Sequence, residues 1–323
     1  MTGGLAYPLR FAPVYKPYIW GGERIARLYG RSGLPATCGE SWEISAHPDG
    51  CGTLMNGPCA GATLAELARH HGRDLLGTAA PEADRFPLLF KIIDARANLS
   101  VQVHPTAEAA RRLGSECKNE CWHLLAADPA ARLYAGLTPG TTPRTLRAAL
   151  VAGTAEALLA PHPAVAGQTL FIPGGLVHAI GAGCLIYEVQ QNANTTYRLY
   201  DWKRVDAAGR PRPLHIDEAL ASIDWTLPPP APAAAAAGPN TWRTCCATPF
   251  FILRGITLDQ PCDWPGDARS FRVLFVDAGG CDVTVGRHTE HLPAGSSCLI
   301  PACAAACKLD PGASPARLLA TTL

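Results

Sequence analysis

Leu99-Ser100-Val101-Gln102-Val103-His104-Pro105 alternates apolar and polar residues with a period of two, the pattern of a β-strand. Leu99, Val101 and Val103 fall on one face; Ser100, Gln102 and His104 fall on the other. Gln102 and His104 therefore leave the sheet in the same direction, roughly 7 Å apart along the strand. Two further stretches answer them. Lys118-Asn119-Glu120-Cys121-Trp122 offers a carboxylate just before the apolar run Trp122–Leu125. Phe171-Ile172-Pro173-Gly174-Gly175-Leu176-Val177-His178-Ala179-Ile180 sets a second histidine just past a Pro-Gly-Gly turn. Gln102, His104, Glu120 and His178 make a mixed N/O donor set that suits a borderline divalent ion such as zinc.

Around these stretches the chain reads as mainly β. Phe86–Ala95 is a continuous apolar run with one lysine, the signature of a buried strand. Lys91 within it needs a partner, because an unpaired buried ammonium is costly. Cys38–Pro48 alternates as a strand, in which Glu40 and Glu43 read as one wet face. Helical patterning is predicted over Glu23–Tyr29, Ala62–His71, Ala107–Leu113 and Pro143–Leu159. Strands resume from Gly167 to Tyr200. Short strands with Gly/Pro turns and grouped helices point to a β-barrel or sandwich carrying a helical insertion at about residues 106–165. No GxGxxG or P-loop occurs.

Residues 228–240, rich in Pro and Ala, read as a linker between a first domain (1–227) and a smaller C-terminal β domain (241–323). The tail is expected to carry structure, not chemistry, with strands at Phe250–Leu258, Phe271–Ala278 and Val283–His288. Its pair His288 and His291 lies in a polar hairpin without a partner motif.

The composition fits a globular protein: 323 residues, 48% apolar and 17% charged. A net charge of +1 gives no footprint for nucleic acid or an anionic membrane, so any anionic ligand must meet a local cationic cluster. The N-terminus lacks the layout of a signal peptide, and no apolar run approaches the ~18–20 residues of a membrane span. A cytoplasmic protein without nucleic-acid or membrane partners is expected, as a monomer or weak homo-oligomer. Thirteen cysteines, an odd number with no Cys-x-x-Cys, read as reduced thiols filling space.

Five phrases occur together and in order: Phe90–Ala95, Leu99–Pro105, Lys118–Trp122, Ile172–Ile180 and Thr196-Tyr197-Arg198-Leu199-Tyr200-Asp201. In them the chain resembles the type I mannose-6-phosphate isomerases, in their shorter bacterial branch, over roughly residues 10–225. The resemblance implies a cupin-type jelly-roll barrel, one zinc ion per chain, and interconversion of mannose 6-phosphate and fructose 6-phosphate through a cis-enediol. It places the metal ligands on Gln102, His104, Glu120 and His178, and substrate-binding cations on Lys91, Lys118 and Arg198. Catalytic roles fall on Arg198, Glu188 and Lys118, with Glu188 as the acid/base. Asn194 departs from the Asp expected there, which moves weight to Glu188. Two alternatives stay open: an iron cupin oxygenase, and a sugar-phosphate-binding cupin without turnover. His123, His162 and His215 read as structural.

Overall fold

A computed structural model describes residues 4–206, 208–233, 238–304 and 306–323. Besides a two-stranded sheet of Phe11–Ala12 and Thr53–Leu54, the strands form two pairs of antiparallel sheets. The first pair holds the site. Its six-stranded sheet runs, edge to edge, Thr169–Ile172, Glu120–Ala127, Cys184–Gln191, Leu88–Ala95, Val14–Gly22 and Cys38–Ser45. Its five-stranded partner runs Tyr197–Tyr200, Val101–Val103, His178–Ile180, Arg132–Leu137 and Leu159–Pro163. The mainly β class is as expected, with the barrel drawn as two facing sheets rather than a closed ring of hydrogen bonds.

Alternation within the strands explains why these sheets stack. Along Leu88–Ala95 and Cys184–Gln191, Ile93 and Ile186 face inward with Trp122 and Leu124, against Leu133, Ala135 and Ile180 of the five-stranded sheet. The opposite faces of the same strands present Phe90, Ile92, Cys121, Tyr187 and Val189. These pack on Leu253, Phe271, Val273 and Phe275 from the C-terminal half. Tyr187 stacks on Phe275 with ring centroids 4.3 Å apart. The C-terminal half is itself two sheets, of five and four strands, closed over a core that includes Leu274, Val283, Leu309 and Leu318.

Several expectations change in detail. The stretch 106–165 is not a discrete helical insertion. Its helices, Ala107–Leu113 and Pro143–Ala152, alternate with strands Glu120–Ala127, Arg132–Leu137 and Leu159–Pro163, which are members of the two sheets. The second helix stops earlier than its Ala/Leu content suggests, because Gly153 takes a left-handed conformation (φ 68°) and caps the last carbonyls. The helix expected at Ala62–His71 opens at a Thr63/Glu66 capping box and meets a kink at Gly72 (φ 48°), where the expected helix ends; a further helical piece completes Leu64–Leu76. The first ligand strand is short, Val101–Val103, and Leu99 ahead of it joins the inter-sheet core. Val283–His288 is two strands turned at Gly286.

Of the Pro/Ala-rich stretch, residues 234–237 lie outside the described residues; Ala233 pairs with Thr169 at the edge of the six-stranded sheet. All thirteen cysteines are free thiols, and eight are buried. Among the described residues no helix is long and apolar enough to cross a membrane.

Candidate metal centre and catalytic cleft

Register brings the site together. His178 lies opposite Gln102, and Gln102 lies opposite Arg198, so one row of the five-stranded sheet carries all three. Across the interior, Glu120 lies opposite both Ile172 and Gln190, and Glu188 lies between Lys91 and Trp122. The Pro-Gly-Gly turn clasps the remaining stretches. Gly175 N–H donates to the His104 carbonyl at 2.7 Å, and Gly174 N–H to Asn119 Oδ1 at 2.9 Å. No side chain fits at Gly174, where a Cβ would lie 2.8 Å from the Pro105 carbonyl oxygen.

His104, Glu120 and His178 form a buried group whose donor atoms all lie within 4.8 Å of one another. His104 Nε2 is 3.3 Å from Glu120 Oε2, and His178 Nε2 is 3.6 Å from Glu120 Oε1. Each imidazole is oriented from behind: Nδ1 of His104 meets the Thr195 carbonyl at 2.9 Å, and Nδ1 of His178 the Leu176 carbonyl at 2.8 Å. A carbonyl only accepts, so Nδ1 carries the proton and the Nε2 lone pair faces the carboxylate. Such orientation from behind is how proteins fix histidine ligands.

Neither Glu120 oxygen accepts a well-directed hydrogen bond among the described residues, although both are buried. Charge comes instead from Lys118, whose Nζ is 2.7 Å from Glu120 Oε2 and 3.1 Å from His104 Nε2. Burial alone would raise the Glu120 carboxyl, but Lys118 and the two imidazoles outweigh it and hold it well below the usual range. Burial and then the Lys118 ammonium push His104 down to about 3, so it is neutral, as a ligand must be. Burial likewise lowers His178. Gln102 completes the quartet. Ser100 Oγ donates to its Oε1 at 3.2 Å, and its amide nitrogen lies 3.2 Å from His178 Nε2. Serving as an oxygen ligand requires that amide to turn over.

A cleft opens beside this group, lined by Lys91, Gln102, Lys118, Glu120, Glu188 and Arg198. Trp122 Nε1–H donates to Glu188 Oε2 at 3.0 Å, and Lys91 Nζ lies 3.1 Å from Oε1. Burial first, then the negative charge of Glu120, raises the Glu188 carboxyl. Lys91 has the partners its apolar strand demanded: Glu188, and Glu40 at 3.6 Å. These outweigh burial and raise its pKa. Arg198 donates to the Pro213 carbonyl at 2.8 Å and leaves its buried Nε without a partner among the described residues. Burial and then neighbouring Arg212 lower the Arg198 pKa.

The sequence reading missed part of this lining. Glu40, on a strand whose sequence favours a wet face over a site-facing role, turns into the cleft, with its Oε2 2.7 Å from Trp42 Nε1. Tyr18 and Trp20 add a stacked aromatic wall, 4.9 Å between centroids. Arg212 reaches the cleft because Asp201 holds it by two bonds of 2.6 and 2.8 Å, a long-range pairing that no local pattern announces. Asn194 also lines the cleft, and its Nδ2 donates to Asp49 Oδ2 at 2.7 Å. His288 and His291 lie far along the chain in the C-terminal hairpin, where His291 pairs with Asp282.

Residues 9–131 match the family model described as phosphomannose isomerase type I, catalytic domain. Over 302 residues the chain is 36% identical to the mannose-6-phosphate isomerase of Streptococcus mutans, covering 92% of this chain and 93% of that protein. The chain belongs to the type I mannose-6-phosphate isomerase family. A second family member, mannose-6-phosphate isomerase ManA of Bacillus subtilis, is 42% identical over 67% of this chain and 68% of its own length. The crystal structure of the mannose 6-phosphate isomerase from Bacillus subtilis superimposes with a TM-score of 0.86 at 29% identity, covering 98% of this chain and all of that one. The fold and the enzyme class follow from the family.

Proposed function

We propose that the cleft interconverts mannose 6-phosphate and fructose 6-phosphate through a cis-enediol, with one zinc ion per chain. The observation that carries the metal is the Glu120 carboxylate, buried beside the Lys118 ammonium, with neither oxygen accepting a well-directed hydrogen bond among the described residues and with two neutral imidazole Nε2 atoms turned toward it. His104, Glu120 and His178 would hold the ion, joined by Gln102 once its amide turns. Bound there, zinc supplies Lewis-acid polarisation of the sugar oxygens near C1 and C2.

Glu188 then moves the proton. Its carboxylate takes the proton from C2 of the open-chain aldose, leaving an enediolate whose O1 gains a proton as O2 gives one up, and it then returns the carbon-bound proton to C1 to give the ketose. The Trp122 N–H and the Lys91 ammonium fix its two oxygens, and its raised pKa brings it nearer the working pH, where general bases are most effective. Asn194 cannot accept a proton and holds Asp49 instead. Arg198 fits the phosphate, since a guanidinium offers a bidentate fork, and Arg212, whose own fork is taken by Asp201, adds positive charge beside it. Lys118 adds positive charge near the reacting end. Lys91, neutralised by two carboxylates, binds substrate mainly by positioning Glu188.

A coupled assay of purified, zinc-loaded protein on mannose 6-phosphate tests this reading. Turnover to fructose 6-phosphate is expected. Saturable binding of mannose 6-phosphate with no conversion would overturn it in favour of a sugar-phosphate-binding protein.

A further inference from the structure

A second polar cavity, of about 330 Å³, opens on the other side of the six-stranded sheet, where that sheet meets the C-terminal half. It shares no lining residue with the catalytic cleft. The strand Glu120–Ala127 serves both: Glu120 and Trp122 face the cleft, while His123 and Leu125 face this cavity. Opposite them stand Arg243 from the first C-terminal strand and Arg317 from the strand Ala316–Thr322.

The charges do not balance. Asp277, also in the lining, offsets one of the two cations: it accepts from Arg317 Nε at 2.8 Å, and the two terminal nitrogens of Arg317 meet no carboxylate among the described residues. Arg243 has no carboxylate partner among the described residues; its one side-chain contact is a weak bond to Cys245 Sγ at 3.7 Å. His123 is buried, and its Nδ1 is engaged by Thr169 Oγ1 at 2.9 Å, so Nε2 is the ring atom left for the cavity. Burial and then the charges of Arg243 and Arg317 push its pKa down to about 4, so the ring stays neutral between two cations. Leu125, Ile256 and Leu318 supply apolar walls. Two guanidinium groups set over apolar surface, in a cavity of metabolite size, match an anionic head on a small organic body.

We infer that this cavity is a second binding site, for a small organic oxyanion, a phosphate ester or a carboxylate, held by Arg243 and Arg317 with His123 beside them. The site stands apart from the isomerase reading, which neither requires it nor fails with it.

Titration calorimetry of the full-length, zinc-loaded protein with inorganic phosphate tests the inference. The wild type is expected to bind one phosphate more than Arg243→Gln does, with kcat and KM for mannose 6-phosphate unchanged in the variant. Arg317→Gln, on the exposed rim, should weaken the second site roughly tenfold or more, the effect of losing one charge-assisted bond. Benzoate and glycerol 3-phosphate, tried as competitors, report whether the natural head is a carboxylate or a phosphate ester; displacement by either supports the site. Phosphate binding of the same number and strength in the wild type and in Arg243→Gln would overturn it.

Discussion

Glu120 and Glu188 are both fully buried carboxylates in one cleft, and their neighbours drive them apart. Glu120 has an ammonium and two imidazoles around it and stays ionised. Glu188 is raised by burial and by the charge of Glu120 itself, with only Lys91 and Lys118 pulling it back. Carboxylates pushed in opposite directions commonly divide the roles, which supports the proposed pairing of Glu120 as ligand with Glu188 as proton carrier. Glu188→Gln keeps the shape and the Trp122 bond but cannot take a proton. Its kcat should fall by about 10²–10⁴-fold, the usual worth of a general base, with zinc content unchanged. A variant within tenfold of wild type would remove Glu188 from that role. At this scale the four candidate ligands were legible from residue chemistry and spacing. Glu188 and Arg198 were singled out through the family phrases, and Arg212 was not legible at all. Its place depends on Asp201, eleven residues back, whose carboxylate crosses a hairpin to hold it.

The element that aligns the ligands is the turn between strands Thr169–Ile172 and His178–Ile180. Its N–H groups bond to the His104 carbonyl and to the Asn119 side chain beside Glu120, so the turn is tied directly to the stretches that carry the other two candidate ligands. Gly174→Ala would drive a Cβ to 2.8 Å from the Pro105 carbonyl oxygen. We expect a loss of about 1–3 kcal/mol, typical of overpacking, read by denaturant titration, together with weaker zinc retention. A variant as stable as wild type and equally metal-replete would contradict this role for the turn. The Pro-Gly-Gly motif was readable because turn chemistry is local. The end of the Pro143 helix was misjudged for the complementary reason: Ala and Leu favour helix beyond Ala152, but one left-handed glycine decides.

For the whole molecule, the metal group is a product of stacking. Glu120 belongs to one sheet and Gln102 and His178 to the other, so a bound ion ties the two layers together. Alternation showed that these layers exist but not which strands neighbour each other. For that reason 106–165 read as an insertion when its strands are sheet members. The shared core of Phe90, Tyr187, Phe271 and Phe275 was also beyond reach, because each strand reads the same whether its second face meets water-excluding protein or another sheet. The central claim is that His104, Glu120 and His178 hold one zinc ion. The most direct measurement is zinc per chain by elemental analysis after chelation and reloading, in the wild type and in Glu120→Gln. The account predicts one ion per wild-type chain and none retained by the variant; equal zinc in both would contradict it.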